Sequence, residues 1–199
     1  MKCLISFCLF CFFFLSSHSE GLSLTDDSGR LIEIDEPPKT IVSLSPHLTE
    51  LLFDLGVGQT VVGTVSFSDY PNSAKSIPRI GDASALNLER IIQMEPDLVI
   101  AWLSGGSFQS VELLIRLGLK VYVNEISSPR DIASSAEKLG VLVGQQKRGL
   151  ELSHKFSEKI IGIQESRTEI HAPSVFFQLG EEDLLSLIHI SEPTRLHGI

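Results

Sequence analysis

The chain is short of cations, of cysteine and of tryptophan, and the first two shortages each close off a class of function. Only 16 Lys and Arg stand against 25 Asp and Glu across 199 residues, a formal net charge of −9. Nucleic-acid binding neutralises phosphates with clustered Lys and Arg, so an acidic chain without such clusters is not built for that partner. All three cysteines, Cys3, Cys8 and Cys11, sit in the apolar N-terminal run, which leaves the rest of the chain without disulfide or thiolate chemistry. No G-x-S-x-G elbow is present. The glycine-rich stretch from Gly56 to Gly63 lacks the Gly-Lys-Ser/Thr ending of a phosphate loop and follows a helical pattern rather than a strand. The sequence therefore assigns no catalytic residue and reads as a binding protein rather than an enzyme.

Residues 1–19 are a different material. Lys2 precedes an almost wholly apolar run from Cys3 to Leu15, followed by Ser16, Ser17, His18 and Ser19. A charged start, an apolar segment of this length and small residues beyond it describe a secretory signal with cleavage expected after Ser19. The run is too short for a comfortable membrane span, and the mature chain is expected to carry none. A lipoprotein signal is the alternative, since Cys8 and Cys11 lie near the end of the run, but Phe7 and Phe10 occupy the places where that signal needs a small residue.

What the chain does have is alternation of strands and helices. Leu22 to Glu36 reads as a hairpin turning at Asp27-Ser28-Gly29, closed by Pro37 and Pro38. Ile41–Leu44, Val61–Thr64 and Leu98–Trp102 are apolar at nearly every position, as strands buried on both faces of a parallel sheet are. Leu48, Leu51, Leu52 and Leu55 fall on one helical face behind Ser45, a good cap, and Pro46, suited to the first helical position; Gly56 stops that helix. Asn87 caps a second helix and Gly118 closes a third, before a strand at Val121–Val123. The pattern predicts an α/β fold, a Rossmann-like lobe around a central parallel sheet. From Ser128 it changes to a long helical region reaching about residue 171, weakened near Gly140, Gly144 and Gly149 and expected to bend there. Val175–Leu179 reads as a new buried strand. The expected organisation is a signal at 1–19, an N-terminal lobe at 20–127, a connecting helical region at 128–171 and the first strand of a second α/β lobe at 172–185. Residues 186–199 show neither strand alternation nor a helical face; they resemble translated adapter sequence and are set aside as foreign to the fold.

Ligands of open parallel sheets bind where strands end. Here those places hold Ser45, Pro46 and His47, then Ser66 to Pro71, then Leu103 to Ser107, and the first two sets are read as a binding rim. The stretches SLSPHLTELLFDLG, SFSDYP, NLERIIQMEPDLVIAW and VFFQLG resemble the periplasmic substrate-binding proteins of ABC importers for cobalamin, ferric siderophores or haem, over about Leu24 to Gly180. SDYP followed by AWLSGG points more narrowly to the cobalamin binders. The resemblance implies two α/β lobes joined by a long helix, a ligand held between them, delivery to a permease and ATPase complex in the inner membrane, and a periplasmic location. Cobalamin is then a ligand and not a cofactor.

On that reading Phe67 supplies an aromatic face for a large, flat, largely neutral ring, with Ser66, Asp69 and Tyr70 beside it and His47 and Trp102 at neighbouring strand ends. Family members commonly carry Tyr at the position of Phe67, and the cobalamin binder the chain most resembles has a Trp at that of Ala83, so one hydroxyl and one ring are absent here. The residues alone leave other roles open: Phe67 and Tyr70 packing the loop onto the sheet, Trp102 packing at a strand end, and His47 as a rim histidine without metal, since His154 and His171 lie far along the chain. Glu89, in the first turn of its helix, gains from the helix dipole in any case; the family places there a carboxylate that docks onto permease arginines. A siderophore or haem ligand would need Arg79, Arg90 and Arg116 to converge on the cleft. With only one lobe wall in the chain, tight cobalamin binding is not expected of it.

Overall fold

The computed structural model describes residues 22–82, 85–106 and 108–166. The leader expected at 1–19, the strand expected within 172–185 and the tail at 186–199 lie outside the described residues, as do Ala83 and His171.

β1 (Leu22–Thr25) and β2 (Leu31–Ile34) form an antiparallel hairpin with Leu22 opposite Ile34. Its turn needs Gly29, whose φ is +86°. β2 buries Ile32 and Ile34 and exposes Leu31 and Glu33, the period-2 pattern of a strand with one covered face.

The main sheet follows in chain order: β3 (Ile41–Ser43), α1 (Pro46–Asp54), β4 (Val61–Thr64), α2 (Leu88–Gln93), β5 (Leu98–Trp102), α3 (Phe108–Arg116) and β6 (Val121–Asn124). Among the described residues its four strands are all parallel, in the order β4-β3-β5-β6, with Ile41 opposite both Val61 and Leu98 and Val99 opposite Val121. Alternate residues feed two cores. Ile41, Leu98, Ile100 and Tyr122 meet Leu48, Leu52 and Leu55 of α1, Leu139 and Leu142 of the next helix, and the hairpin's Ile32 and Ile34. Val42, Val99, Ala101, Val121 and Val123 meet Ile91 of α2 and Val111 and Leu114 of α3. Both faces are covered, which is why these strands read as unbroken apolar runs. Each fully buried Leu or Ile contributes about 1.5–3 kcal/mol relative to exposure.

The helical region after Ser128 is two helices, α4 (Pro129–Leu142) and α5 (Gln146–Glu165), broken where Gly144 takes φ +72°. Asp131 accepts the backbone N–H groups of Ser127 and Ser128 at the start of α4. Gly140 and Gly149 lie back to back, so a Cβ built on Gly140 would fall 2.8 Å from the Cα of Gly149. The described residues up to His154 belong to one compact unit, and those from Lys155 onward to a second, in which they continue α5 with Ile161 and Ile163 exposed.

Candidate functional site

The C-terminal ends of β3, β4 and β5 open onto a groove of about 580 Å³. Leu44, Ser45, Pro46 and His47 line it from the β3–α1 junction, Val65, Ser66 and Phe67 from beyond β4, Trp102 from the end of β5 and Gly105 from the loop after it.

The β3–α1 junction departs from the expected cap. Ser45 has the extended backbone of an N-cap, φ −152°, yet its hydroxyl makes no capping bond to the helix. It lies 2.7 Å from His47 Nδ1 instead. Pro46 occupies the first helical position, where its missing N–H would be unpaired in any case, and the serine hydroxyl turns to the imidazole. When Ser45 donates to Nδ1 the proton sits on Nε2, and when Nδ1 donates to Ser45 the Nε2 lone pair is exposed to acceptor roles. Burial holds the His47 ring below its ordinary value, against the Glu125 carboxylate, which favours the cation. His47 stands edge-on to Trp102, ring centroids 5.0 Å apart and planes at 89°. Neither His47 Nε2 nor Trp102 Nε1 has a hydrogen-bond partner among the described residues, although both atoms are buried.

Beneath the junction runs a chain of buried hydroxyls. Thr49 of α1 reaches Ser43 of β3 at 2.9 Å and Thr64 of β4 at 2.7 Å, and Thr64 donates to Ser68 at 2.8 Å. All four residues are fully buried. This chain anchors the aromatic loop from below. From the side, Arg79 donates to the Ser68 carbonyl at 2.9 Å and to Asp69 Oδ1 at 3.1 Å, and the Ser66 backbone N–H and hydroxyl both reach the Gly81 carbonyl.

Held at both ends, the loop turns at Val65–Ser68, closed by the Ser68 N–H on the Val65 carbonyl, with Phe67 at φ +67°. Left-handed backbone is rare for a bulky non-glycine residue and costs about 1–3 kcal/mol. The ring gains no packing in return: Phe67 is 82% exposed and Tyr70 66% exposed, which excludes the alternative that the two aromatics pin the loop to the sheet.

Of the residues expected at the rim, the structure brings Ser66, Phe67, His47 and Trp102 together along one groove. It does not bring Asp69 or Tyr70 there; Asp69 pairs with Arg79 on the loop's flank. Trp102 is both a strand-end residue, packed against the core, and a wall of the groove. Five lining residues were missed from sequence, of which Leu44 and Val65 are the apolar positions directly before the expected rim sets. Glu50 stands one helical turn after His47, a spacing that could have found it. Asp82 and Gly105 lie on loops whose course periodicity does not encode. Trp102 also borders a smaller pocket of about 180 Å³ with Phe108, Val111 and Arg30. No group of three or more His, Cys, Asp or Glu able to hold a metal occurs among the described residues, and none of their helices is long and apolar enough to cross a membrane. Glu89 is exposed in the first turn of α2, where its carboxylate accepts from Gln93 at 3.4 Å; Asn87 caps that helix through the Arg90 N–H.

Curated relatives are similar in sequence and solved structures are similar in fold. The chain is 28% identical over 162 residues to a vitamin B12-binding protein of Vibrio parahaemolyticus, covering 81% of this chain and 59% of that protein. It is therefore similar to rather less than two thirds of the relative's length. The crystal structure of the periplasmic vitamin B12-binding protein BtuF of Vibrio cholerae superposes with a TM-score of 0.66 at 29% identity, over 72% of this chain and 56% of that one. A periplasmic heme-binding protein, RhuT of Roseiflexus, gives 0.65 at 25% identity, over 73% and 57%. The sequence model described as periplasmic binding protein matches residues 41–191, and with the parallel sheet, the groove at its strand ends and these likenesses the conclusion is plain: the chain belongs to the periplasmic binding protein family.

Proposed function

We propose that this chain supplies one wall of the ligand site of an ABC importer's substrate-binding protein, and that the ligand is a corrin, cobalamin. The observation that carries the reading is Phe67, held solvent-exposed in left-handed backbone at the rim of a groove whose charged lining consists of Glu50 and Asp82. Strained backbone that presents an aromatic ring to solvent is explained by a ligand that stacks on it. A corrin is flat, broad and edged with neutral amides, so it needs an aromatic face and hydrogen-bonding groups such as Ser66 and His47 rather than cations.

A haem or siderophore ligand is the second reading, supported by the likeness to heme-binding structures. Haem carries two carboxylates, and the groove lining described includes no Lys or Arg. Arg79 is engaged with Ser68 and Asp69, while Arg90 and Arg116 sit on α2 and α3 away from the groove lining. The charge pattern favours the corrin. Asp69 and Tyr70 belong, on this reading, to the support and outer edge of the loop. Export to the periplasm, docking of Glu89 onto arginines of the permease and hand-over to the permease and ATPase complex complete the proposal. Isothermal titration of the chain with cyanocobalamin and, in parallel, haemin tests it: heat from the corrin alone supports it, and preference for haemin overturns it.

A further inference from the structure

We infer that Glu125 is a positioning residue for the groove, holding the loop after β5 closed over Trp102. Both carboxylate oxygens are committed to that loop: Oε2 accepts the Ser104 backbone N–H at 2.9 Å and Oε1 the Ser104 hydroxyl at 2.8 Å, with Ser127 a further donor to Oε1 at 3.3 Å. The loop so held is Leu103-Ser104-Gly105-Gly106, which has two glycines and little order of its own. Gly105 lies directly on the indole. A Cβ built there would fall 1.8 Å from Trp102 Cε3, so the loop backbone covers the ring at a distance only glycine permits. The indole also meets His47, the two rings perpendicular. Trp102 thus touches both the glycine backbone and the histidine ring, and the glycine contact depends on where Ser104 is tied.

The anchor is itself fixed. The Glu125 backbone N–H donates to Asp27 Oδ2 at 2.8 Å, and Asp27 lies in the turn of the β1–β2 hairpin. Asp27 also takes the Asn124 side-chain amide at 3.2 Å and pairs with Lys138 of α4, while its backbone N–H bonds the Val123 carbonyl at 2.9 Å. A continuous relay of charge-assisted bonds therefore runs from the hairpin turn through Glu125 and Ser104 to the groove wall. It gives the hairpin, which pairs with no strand of the main sheet, a role at the site. The inference rests on the proposed function only for its consequence in binding; its test needs no ligand.

Trp102 is the chain's single tryptophan, so intrinsic fluorescence reports this position alone. In Glu125→Ala the acrylamide quenching constant of Trp102 is expected to rise at least twofold, with Glu125→Gln, which keeps one acceptor oxygen, intermediate. Ser104→Ala should give part of the same change, and combined with Glu125→Ala should add less than the sum of the two. The His47 ring signals in proton NMR should titrate at lower pH in Glu125→Gln, because the nearby negative charge is gone; a purely structural role would not move them. Glu112→Ala, near the indole on the smaller pocket, serves as the control. Unchanged quenching in both Glu125 variants, additive effects with Ser104→Ala, or an unmoved His47 titration would overturn the assignment. Should Glu125→Ala not fold, the Gln and Ser104 variants carry the test.

Discussion

Gly140 of α4 and Gly149 of α5 touch backbone to backbone, and a side chain on Gly149 would also come within 2.6 Å of the Ala136 carbonyl oxygen. As sequence, these glycines looked only like weak points, each costing a helix up to ~1 kcal/mol relative to Ala. The contact reverses that reading. Overpacking a tight contact costs about 1–3 kcal/mol, which exceeds the propensity gain. Gly149→Ala is therefore expected to lower stability by about 1 kcal/mol or more in urea unfolding. Gly162→Ala, also in α5 but with nothing within 4 Å, should be neutral or stabilising.

The hydroxyl chain under the aromatic loop predicts an asymmetric result at an isosteric change. Thr64→Val keeps the shape and leaves the buried Ser68 hydroxyl without its partner, while Thr49 loses one bond and keeps Ser43 and the Ser45 carbonyl. Leaving buried polar groups unpaired costs about 1–3 kcal/mol, measurable as a lower urea midpoint. Thr60→Val, in the half-buried turn just before that strand, loses a single bond to the Val57 carbonyl and should change it by less.

Acid sensitivity should trace to the hairpin turn. Burial acts to raise the Asp26 carboxyl, but hydrogen bonds from Ser28 and from the Arg30 backbone and side chain, with the Arg30 charge, outweigh it and hold the group below the ordinary carboxylate range. A carboxyl with a lowered folded value contributes stability that is present above its unfolded value, near 3.8, and lost as pH falls through the folded one. Asp26→Asn should thus destabilise the chain at neutral pH, and the gap to wild type should close below about pH 4. A gap independent of pH across thermal melts would contradict this.

On the docking role proposed for Glu89, permease delivery is separable from ligand binding. In a full-length form, Glu89→Ala should leave ligand affinity unchanged and reduce permease-dependent uptake, because an exposed carboxylate facing Arg forms a strong bidentate pair while contributing only about 0.3–1 kcal/mol to its own helix. Normal uptake with weakened ligand binding would reverse the assignment.

The strands and helices were legible because burial on both faces and helical periodicity are local properties. Ile41, Leu52 and Val99 announce themselves by their neighbours. The hairpin, the glycine stops and the Asn87 cap were readable for the same reason. The groove was legible only in part. His47, Ser66, Phe67 and Trp102 follow from the rule that ligands meet strand ends, whereas Gly105 and Asp82 depend on how loops fold back. Ser45 looked like a helix cap and serves His47 instead, since nothing in the sequence tells whether a serine hydroxyl will meet a backbone N–H or a nearby imidazole nitrogen. Asp69 and Tyr70 share the loop with Phe67 yet lie outside the groove, because the left-handed turn at Phe67 sends consecutive side chains apart.

The most direct test of the account is the cyanocobalamin titration repeated with Phe67→Ala. Burying a phenyl ring against a ligand face is worth about 1.5–3 kcal/mol, so the variant should bind roughly ten- to a hundredfold more weakly while its unfolding midpoint stays about level, because the exposed ring packs on nothing and Ala keeps the same left-handed backbone. Equal affinity of Phe67→Ala and wild type for the corrin would contradict the claim that this exposed ring is the ligand's wall.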